Sequence, residues 1–543
     1  MKFQLKLCLL FATLALATGT AAPAVGAIIN NYSGTLPGLP NYGIAQGSIF
    51  QLWGTGMSGS YSSQNVPLQT TVAGTTLNVT VNGVTTHPPL YYVSPTQING
   101  ILPSSTPVGT GTISVSYGGQ TSAGFAIQVV ASAFGMLSLN QAGTGPSSVL
   151  DINYKQVNFS NAANPGDYLN FWGSGIGPAS GDETQYQTQT NLTNIPIEVD
   201  IGGISATVTY RGRSQWPGLD QVQVIVPPGV TGCSVSVVVI SGSGSMLSNY
   251  GTIPIAASGR TCTDQVSVLT ASQIQAFSNQ ATVSAGAVLV GQTTNTTLPL
   301  VSGSSGSTTV TNSASAFFTR YTGAGYLDAV QTIPSPGSCS VFTLTLGKEV
   351  SNPVPPTYLN AGSAVNVTGP QGKQALPPET TGYYYSSLPT GFIPTSGGTF
   401  NIDNGGGGPD VGAFTTSLTA AVPLTWTNMS GITSVTRSQG LTINWTGGVA
   451  GSFVQIYGFA FSGQSSASVG GYFYCTAPVS AGTFKVPASV LLSLPPTGTV
   501  SGVVIPGSLS VSNYSAPKAF SASGLDYGYA LFFSAFTLNP TYL

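Results

Sequence analysis

His87 is the only imidazole in a chain of 543 residues, and it stands in the stiff run Thr86-His87-Pro88-Pro89. One histidine cannot build a multi-histidine metal site, and it weakens every Ser-His-Asp scheme. The serines do not restore that chemistry, because none sits in a Gly-x-Ser-x-Gly elbow. His87 is therefore read as an exposed loop residue. Carboxylates offer the remaining route to hydrolysis, since a pair flanking a bond can divide the acid and base roles. Among the 14 Asp and Glu, Asp182-Glu183 are adjacent in a polar loop and are read as a solvated turn. Asp403 and Asp410 bracket Asn404 and the Gly405–Gly408 tract. Such oxygens can ligate Ca²⁺, but the spacing fits no EF-hand, and a Gly-rich hairpin turn is the reading. No catalytic, cofactor-binding or metal residue is assigned.

Sulfur is the other reactive element. Beyond Cys8, the chain carries Cys233, Cys262, Cys339 and Cys475, with no Cys-x-x-Cys, so zinc and dithiol redox chemistry are not signalled. Disulfides are the expectation for an exported chain. Cys233 with Cys262 is the favoured pair, because a strand-rich stretch separates them at the end of one domain. Cys262 with Cys339 is the alternative.

The composition explains why chemistry is scarce. Lys and Arg number 12, Asp and Glu 14, and charged residues are 5%, against roughly 25% in ordinary domains. So few basic residues cannot form a nucleic-acid footprint. Ser, Thr, Asn, Gln and Gly must supply the polar surface, which suits contact with neutral polymers such as polysaccharide, or with like chains. Hydrophobic residues at 41% are enough to build cores.

The elements that position these residues are strands. Lys2, Lys6 and the apolar run Leu7–Ala17 read as an export leader, with Val25-Gly26-Ala27 as cleavage site and Ile28 as first mature residue. No later run reaches about 20 apolar residues, so no membrane helix is expected. Then a repeat appears. GSIFQLWGTG at 47–56 matches GDYLNFWGSG at 166–175; Gln97-Ile98-Asn99 matches Gln221-Val222-Gln223; and both copies run on into alternating strands at Thr112–Tyr117 and Cys233–Val238. Apolar residues recur with period two, and Asn82-Gly83 marks a type I′ hairpin. Units of this length with such alternation read as immunoglobulin-like sandwiches. Trp53 and Trp172 are read as core aromatics between the sheets, with sugar-stacking platforms as the alternative.

These landmarks, "GS-x-x-x-x-WGTG", "NG", "SPTQINGILP" and "GTISVSYGGQTS" in that order, resemble the bacterial repeat family called the Solibacter uncharacterized C-terminal domain. That family is abundant in acidobacterial secreted proteins and similar to the IPT/TIG immunoglobulin-like group. The resemblance covers both copies, about residues 28–257, and implies no catalytic residues. Copy two departs from copy one in Arg211-Gly212-Arg213-Ser214-Gln215-Trp216 and in Cys233, which leaves the role of that loop open.

The expected architecture is all-β: tandem immunoglobulin-like β-sandwiches followed by further β-sandwich domains. Its parts are a leader (1–27), repeat 1 (28–132), repeat 2 (133–258), a β-rich middle domain (259–424) and a C-terminal sandwich (425–543). The middle domain carries one short helix, with Thr270 as N-cap and Ile274 and Phe277 on one face. The expected function is a non-enzymatic secreted or cell-surface structural or adhesive protein contacting polysaccharide or a surface protein. The alternative is an exported carboxylate-dependent glycoside-active enzyme. The expected location is extracellular, cell surface or periplasm.

Overall fold

The computed structural model describes residues 22–242, 246–263, 266, 269–299, 306–323, 325, 333–345, 355–420, 424–465 and 468–543. The charged and apolar parts of the expected leader lie outside the described residues. The chain is all-β, with two tandem immunoglobulin-like sandwiches followed by further β layers.

In the first sandwich one sheet orders Ala24–Asn30, Ile49–Thr55, Gln97–Ile101, Leu90–Val93 and Ser62–Ser63. The opposing sheet is built on Phe125–Val130, Gly109–Tyr117 and Thr75–Val81. Between them Phe50, Leu52, Leu77, Val79, Ile98 and Ile113 are removed from water, each worth roughly 1.5–3 kcal/mol relative to exposure. Thr75–Val81 turns at Asn82 and Gly83, with φ of 49° and 78°, the two left-handed residues a type I′ hairpin needs. The edge strand pairs from Ala24 opposite Thr55 to Asn30 opposite Phe50. The expected cut after Ala27 falls within this strand, whose residues Ile28–Asn30 pair with Phe50–Leu52.

The second sandwich repeats the plan. Tyr168–Ser174 lies beside Asp220–Ile225, which pairs in turn with Thr207–Arg213, in one sheet, with Ile197–Ile201 and Gly232–Ser241 in the other. Leu169, Phe171, Val199, Val222, Val224 and Val237 fill the interior.

The rest of the chain departs from the sequence reading. Among the described residues, an 11-stranded sheet takes Thr282–Thr297, Ser307–Thr322 and Cys339–Thr345 from one side of residue 425, and Phe453–Phe461, Val469–Pro478, Ser508–Tyr514 and Tyr527–Leu538 from the other. Thr282–Thr297 pairs in parallel with Tyr527–Leu538. The boundary at 424/425 therefore does not separate two sheets, because strands far apart in sequence complete one ladder. Two small sheets cover its inner face around separate cores, one with Phe318, Phe400 and Phe532, the other with Trp445, Ile456 and Phe473. The helix Ala271–Asn279 carries Thr270 as N-cap in a capping box with Gln273, which satisfies otherwise orphaned backbone donors. Phe277 is buried; the Ile274 side chain lies outside the described residues.

Candidate functional site

The residues singled out for chemistry are dispersed. His87 is exposed, with Nδ1 3.4 Å from the Leu77 carbonyl. Asp182 is exposed and accepts from the Thr184 hydroxyl at 2.6 Å and the Thr184 N–H at 2.9 Å, which together hold its carboxyl below the usual range. Glu183 is not the solvated turn expected of it. Its carboxylate accepts from the backbone N–H of Ser104 in the first sandwich at 2.9 Å, and from the Ser104 hydroxyl. Asp403 accepts from Asn366 at 2.7 Å and Gly405 at 2.9 Å, while Asp410 accepts from the Asn360 N–H at 2.8 Å. Asn404 between them is buried and ties Ala361, Gly412 and Phe414 together. Among the described residues no three His, Cys, Asp or Glu groups come together as a metal site. No helix among them is long and apolar enough to cross a membrane.

Cys233 and Cys262 form a disulfide with Cα atoms 5.2 Å apart. It lies in a cluster with Phe159, Ala256, Phe277 and Tyr527, so it clamps the connection that leaves the second sandwich and packs it against the large sheet. Cys339 bonds Cys475 across adjacent strands, and the alternative pairing of Cys262 with Cys339 is not formed.

The loop in which copy two departs from copy one acts as the joint between the sandwiches. Arg213 is 1% exposed and Asp220 is fully buried. They form an ion pair, and Arg213 also donates to the Gly177 carbonyl at 2.6 Å. The other Asp220 oxygen accepts from Gly175 and Ile176 at 2.7 and 2.8 Å. Burial pushes this carboxyl up, against the pull of the guanidinium and those N–H groups. Gly47 of the first sandwich packs directly over the guanidinium, where a Cβ would collide. The Ile49 N–H donates to Ser174 Oγ at 2.8 Å, and Tyr91 Oη donates to the Pro217 carbonyl at 2.8 Å.

Beside that joint lies a feature the sequence reading had inverted. Phe50 and Leu52 point into the core, so period two sends Gln51 and Trp53 outward. Trp53 is 41% exposed and does not lie between the sheets; Trp172 is half-buried on the matching outer face of copy two. Trp53 Nε1 donates to Gln51 Oε1 at 3.3 Å, and Gln51 donates to Asn31 Oδ1 at 3.0 Å. Asn99 donates to the same Asn31 oxygen at 3.0 Å, and Gln97 donates to Asn99 Oδ1 at 2.8 Å. Register explains the grouping: Gln51 stands opposite Asn99, and Trp53 opposite Gln97. The amides Asn31, Gln51, Gln97 and Asn99 floor a cleft of about 400 Å³ whose other wall includes Leu137, Ser138 and Leu139 of the second sandwich, and Trp53 stands at its edge, bonded to Gln51. Sequence alternation carried this signal, since Gln51, Gln97 and Asn99 all occupy outward positions. Asn31 carried none.

A second concavity of about 480 Å³ lies on the large sheet, lined among others by Ala287, Phe317, Tyr358, Gln455 and Tyr514. Among the described residues, neither concavity has a charged side chain in its lining.

No family model matches the chain, and no curated protein matches it. Among solved structures it is similar to SGBP-B from a complex xyloglucan utilization locus in Bacteroides uniformis, at 10% identity over 85% of this chain and 87% of that one, with a TM-score of 0.15. It is also similar to domains 5-6 of the S-layer protein SbsC, at 12% identity over 44% and 100%, TM-score 0.15. A third is the plexin A4 extracellular region, at 11% identity and TM-score 0.15, matched over 43% of this chain and only 19% of that one. Superpositions at this level leave function to be argued from the residues.

Proposed function

We propose that the chain is a non-enzymatic structural or adhesive protein of the exported or cell-surface class, built to hold uncharged sheet faces against neutral polymers. The observation that carries this is the outward amide-and-indole array of the first sandwich, set beside a cleft with no charged lining. Amide groups both donate and accept, as sugar hydroxyls and peptide groups do. A surface of this kind does not rely on ion pairing. Stiff junctions serve the same end. Arg213, held by Asp220 within the second sandwich, packs against Gly47 of the first, and the Cys233–Cys262 bridge clamps the chain leaving the second sandwich beside the large sheet. Two disulfides are a feature of oxidising compartments. The resemblance of residues 28–257 to a secreted repeat family points the same way. Asp182, Glu183, Asp403 and Asp410 are each engaged in hydrogen bonds that hold the fold, Glu183 across the two sandwiches.

The test is incubation of the full chain with neutral and acidic polysaccharides, followed by assay of new reducing ends and by co-sedimentation with insoluble polymer. Co-sedimentation without cleavage is expected. Turnover that is lost in Asp182→Asn or Asp403→Asn would replace this reading with the carboxylate enzyme.

A further inference from the structure

The two sandwiches carry matching residues on matching outer faces, which supplies an internal control for a binding site. In copy two, Asn170 Oδ1 accepts from both Gln221 at 2.6 Å and Gln223 at 3.0 Å. Asn170 is 1% exposed and Gln221 7%, while Gln223 is half-buried and also accepts from Thr209, so this array is largely buried and its groups are engaged. In copy one the equivalent Gln51, Gln97 and Asn99 remain half-exposed, and the bonds run as a chain from Trp53 through Gln51 and Asn31 to Asn99 and Gln97.

We propose that the first sandwich binds a neutral oligosaccharide on this face, with Trp53 as the stacking platform and Gln51, Asn31, Asn99 and Gln97 as partners for ring hydroxyls. The proposal rests on the reading of the chain as a non-enzymatic contact protein and names what that contact takes. Three features of the site select this ligand class.

The first is the hydrogen-bonding character. Each amide has two N–H donors and an accepting oxygen, and the array commits a single donor from each of Gln51, Asn99 and Gln97. The remaining groups can meet vicinal hydroxyls, which also donate and accept. An anionic or cationic ligand would find no counter-charge in the lining. The second is preorganisation. The side chains hold one another in place across a strand pair, so binding need not order them, which is where much of the entropic cost of association falls. The third is shape. A large aromatic left 41% exposed beside a polar cleft of about 400 Å³ offers an apolar face next to a polar slot. That volume lies within the range of small-ligand sites, roughly 300–1,000 Å³. A protein partner would call for an apolar centre to its interface, and the cleft offers Leu137 and Leu139 only at one wall.

The experiment is isothermal titration of the full chain with cellohexaose, maltohexaose, laminarihexaose and xylohexaose, with an oligogalacturonate of the same length as the charged control. At least one neutral hexamer is expected to bind, quenching tryptophan fluorescence. Trp53→Ala is expected to weaken that binding about tenfold or more, the factor that about 1.4 kcal/mol represents. Trp53 is exposed, so the variant keeps its fold, which circular dichroism verifies; Asn99→Ala supplies a second lesion in the same array. Trp172→Ala is expected to change affinity by less than about twofold, within the usual range of a remote substitution. Failure of every neutral hexamer to bind, or binding of the oligogalacturonate alone, overturns the proposal. Binding that survives Trp53→Ala unchanged overturns the site while leaving the contact reading in place. Cleavage of a bound hexamer would remove the contact reading itself.

Discussion

In the first sandwich Gln51 and Trp53 stand opposite Asn99 and Gln97; in the second, Asn170 and Trp172 stand opposite Gln223 and Gln221. The backbone register is the same and the side-chain chemistry nearly so, yet one array lies at a surface and the other is buried. The difference lies in what each copy must join. Copy two connects on both sides: Arg213 and Asp220 face the first sandwich, and Cys233 and Cys262 face the large sheet. Its outer amides are covered, and a covered amide must be satisfied internally or it costs about 1–3 kcal/mol. Sharing one acceptor between two donors achieves that. Copy one has a neighbour on one side, keeps its face, and leaves its amides with capacity to spare.

The largest test of this comparison removes the joint. Arg213→Ala strands a buried carboxyl group, and such a loss costs about 3–5 kcal/mol. Urea unfolding followed by tryptophan fluorescence should show the first transition moving to lower denaturant. Arg213→Met combined with Asp220→Leu should recover most of the loss, because a buried pair is often replaceable by apolar residues of similar volume. No recovery would mean that the Gly177 carbonyl and the Gly175 and Ile176 N–H groups, left without their partners inside the second sandwich, cost more than the charge pair itself.

Next comes the bridge that copy one lacks. Cys233→Ser with Cys262→Ser opens a loop with a sequence separation of 29, for which the chain-entropy model gives about 3 kcal/mol. Calorimetry of the double variant should show a lowered transition for the second sandwich, with the first sandwich's transition unchanged. A fall in both would mean that the two sandwiches unfold as one cooperative unit.

The amides themselves give a smaller contrast. Asn170→Ala leaves the donors of buried Gln221 and half-buried Gln223 without their acceptor and should destabilise by about 1–3 kcal/mol. Gln51→Ala, on a half-exposed face, should cost under about 0.5 kcal/mol in stability while weakening oligosaccharide binding. Equal stability losses would show that both arrays are structural, and the difference between the copies would lose its functional meaning.

Parts of this contrast were legible in the residues and parts were not. Period-two alternation located the strands, Asn82-Gly83 located a hairpin, and the repeated Gln/Asn positions marked one face of each copy. Alternation does not say which parity faces inward when Ile49, Gln51 and Trp53 share one parity and Phe50 and Leu52 the other. Reading Trp53 by its usual burial gave the wrong side; two wholly buried neighbours outweigh one amphipathic ring. Partners across long separations were also invisible. Nothing local in Thr282–Thr297 announces a parallel ladder with Tyr527–Leu538, because both faces of a central strand are covered and alternation fades. Glu183 looked solvated since its partner, Ser104, lies in the other repeat.

The smallest expected effect is the absence of one: oligosaccharide binding should be flat in pH and salt where the stability of the joint is not required to be. Amides and an indole do not titrate, so the array carries the same charge throughout the working range. Among the described residues of the cleft, Tyr32 is the titratable one. Burial first, and the Asp220 charge second, push its hydroxyl up to about 12, with an Asn31 hydrogen bond acting the other way. A tyrosine raised in the folded state contributes stability that is fully present below its unfolded value near 10 and is lost as pH rises through about 12. Between about pH 7 and 9 Tyr32 therefore stays neutral, and affinity for the bound neutral hexamer should change by less than about twofold. Raising NaCl from about 0.05 to about 0.5 M shortens the screening length severalfold, yet it should leave the affinity equally unmoved, since no ion pair contributes. Titration calorimetry across both series checks this. A steep salt slope would show a charged side chain contributing to binding, and a pH step in that window would show a titrating group in contact with the sugar; the array of copy one contains neither among the described residues.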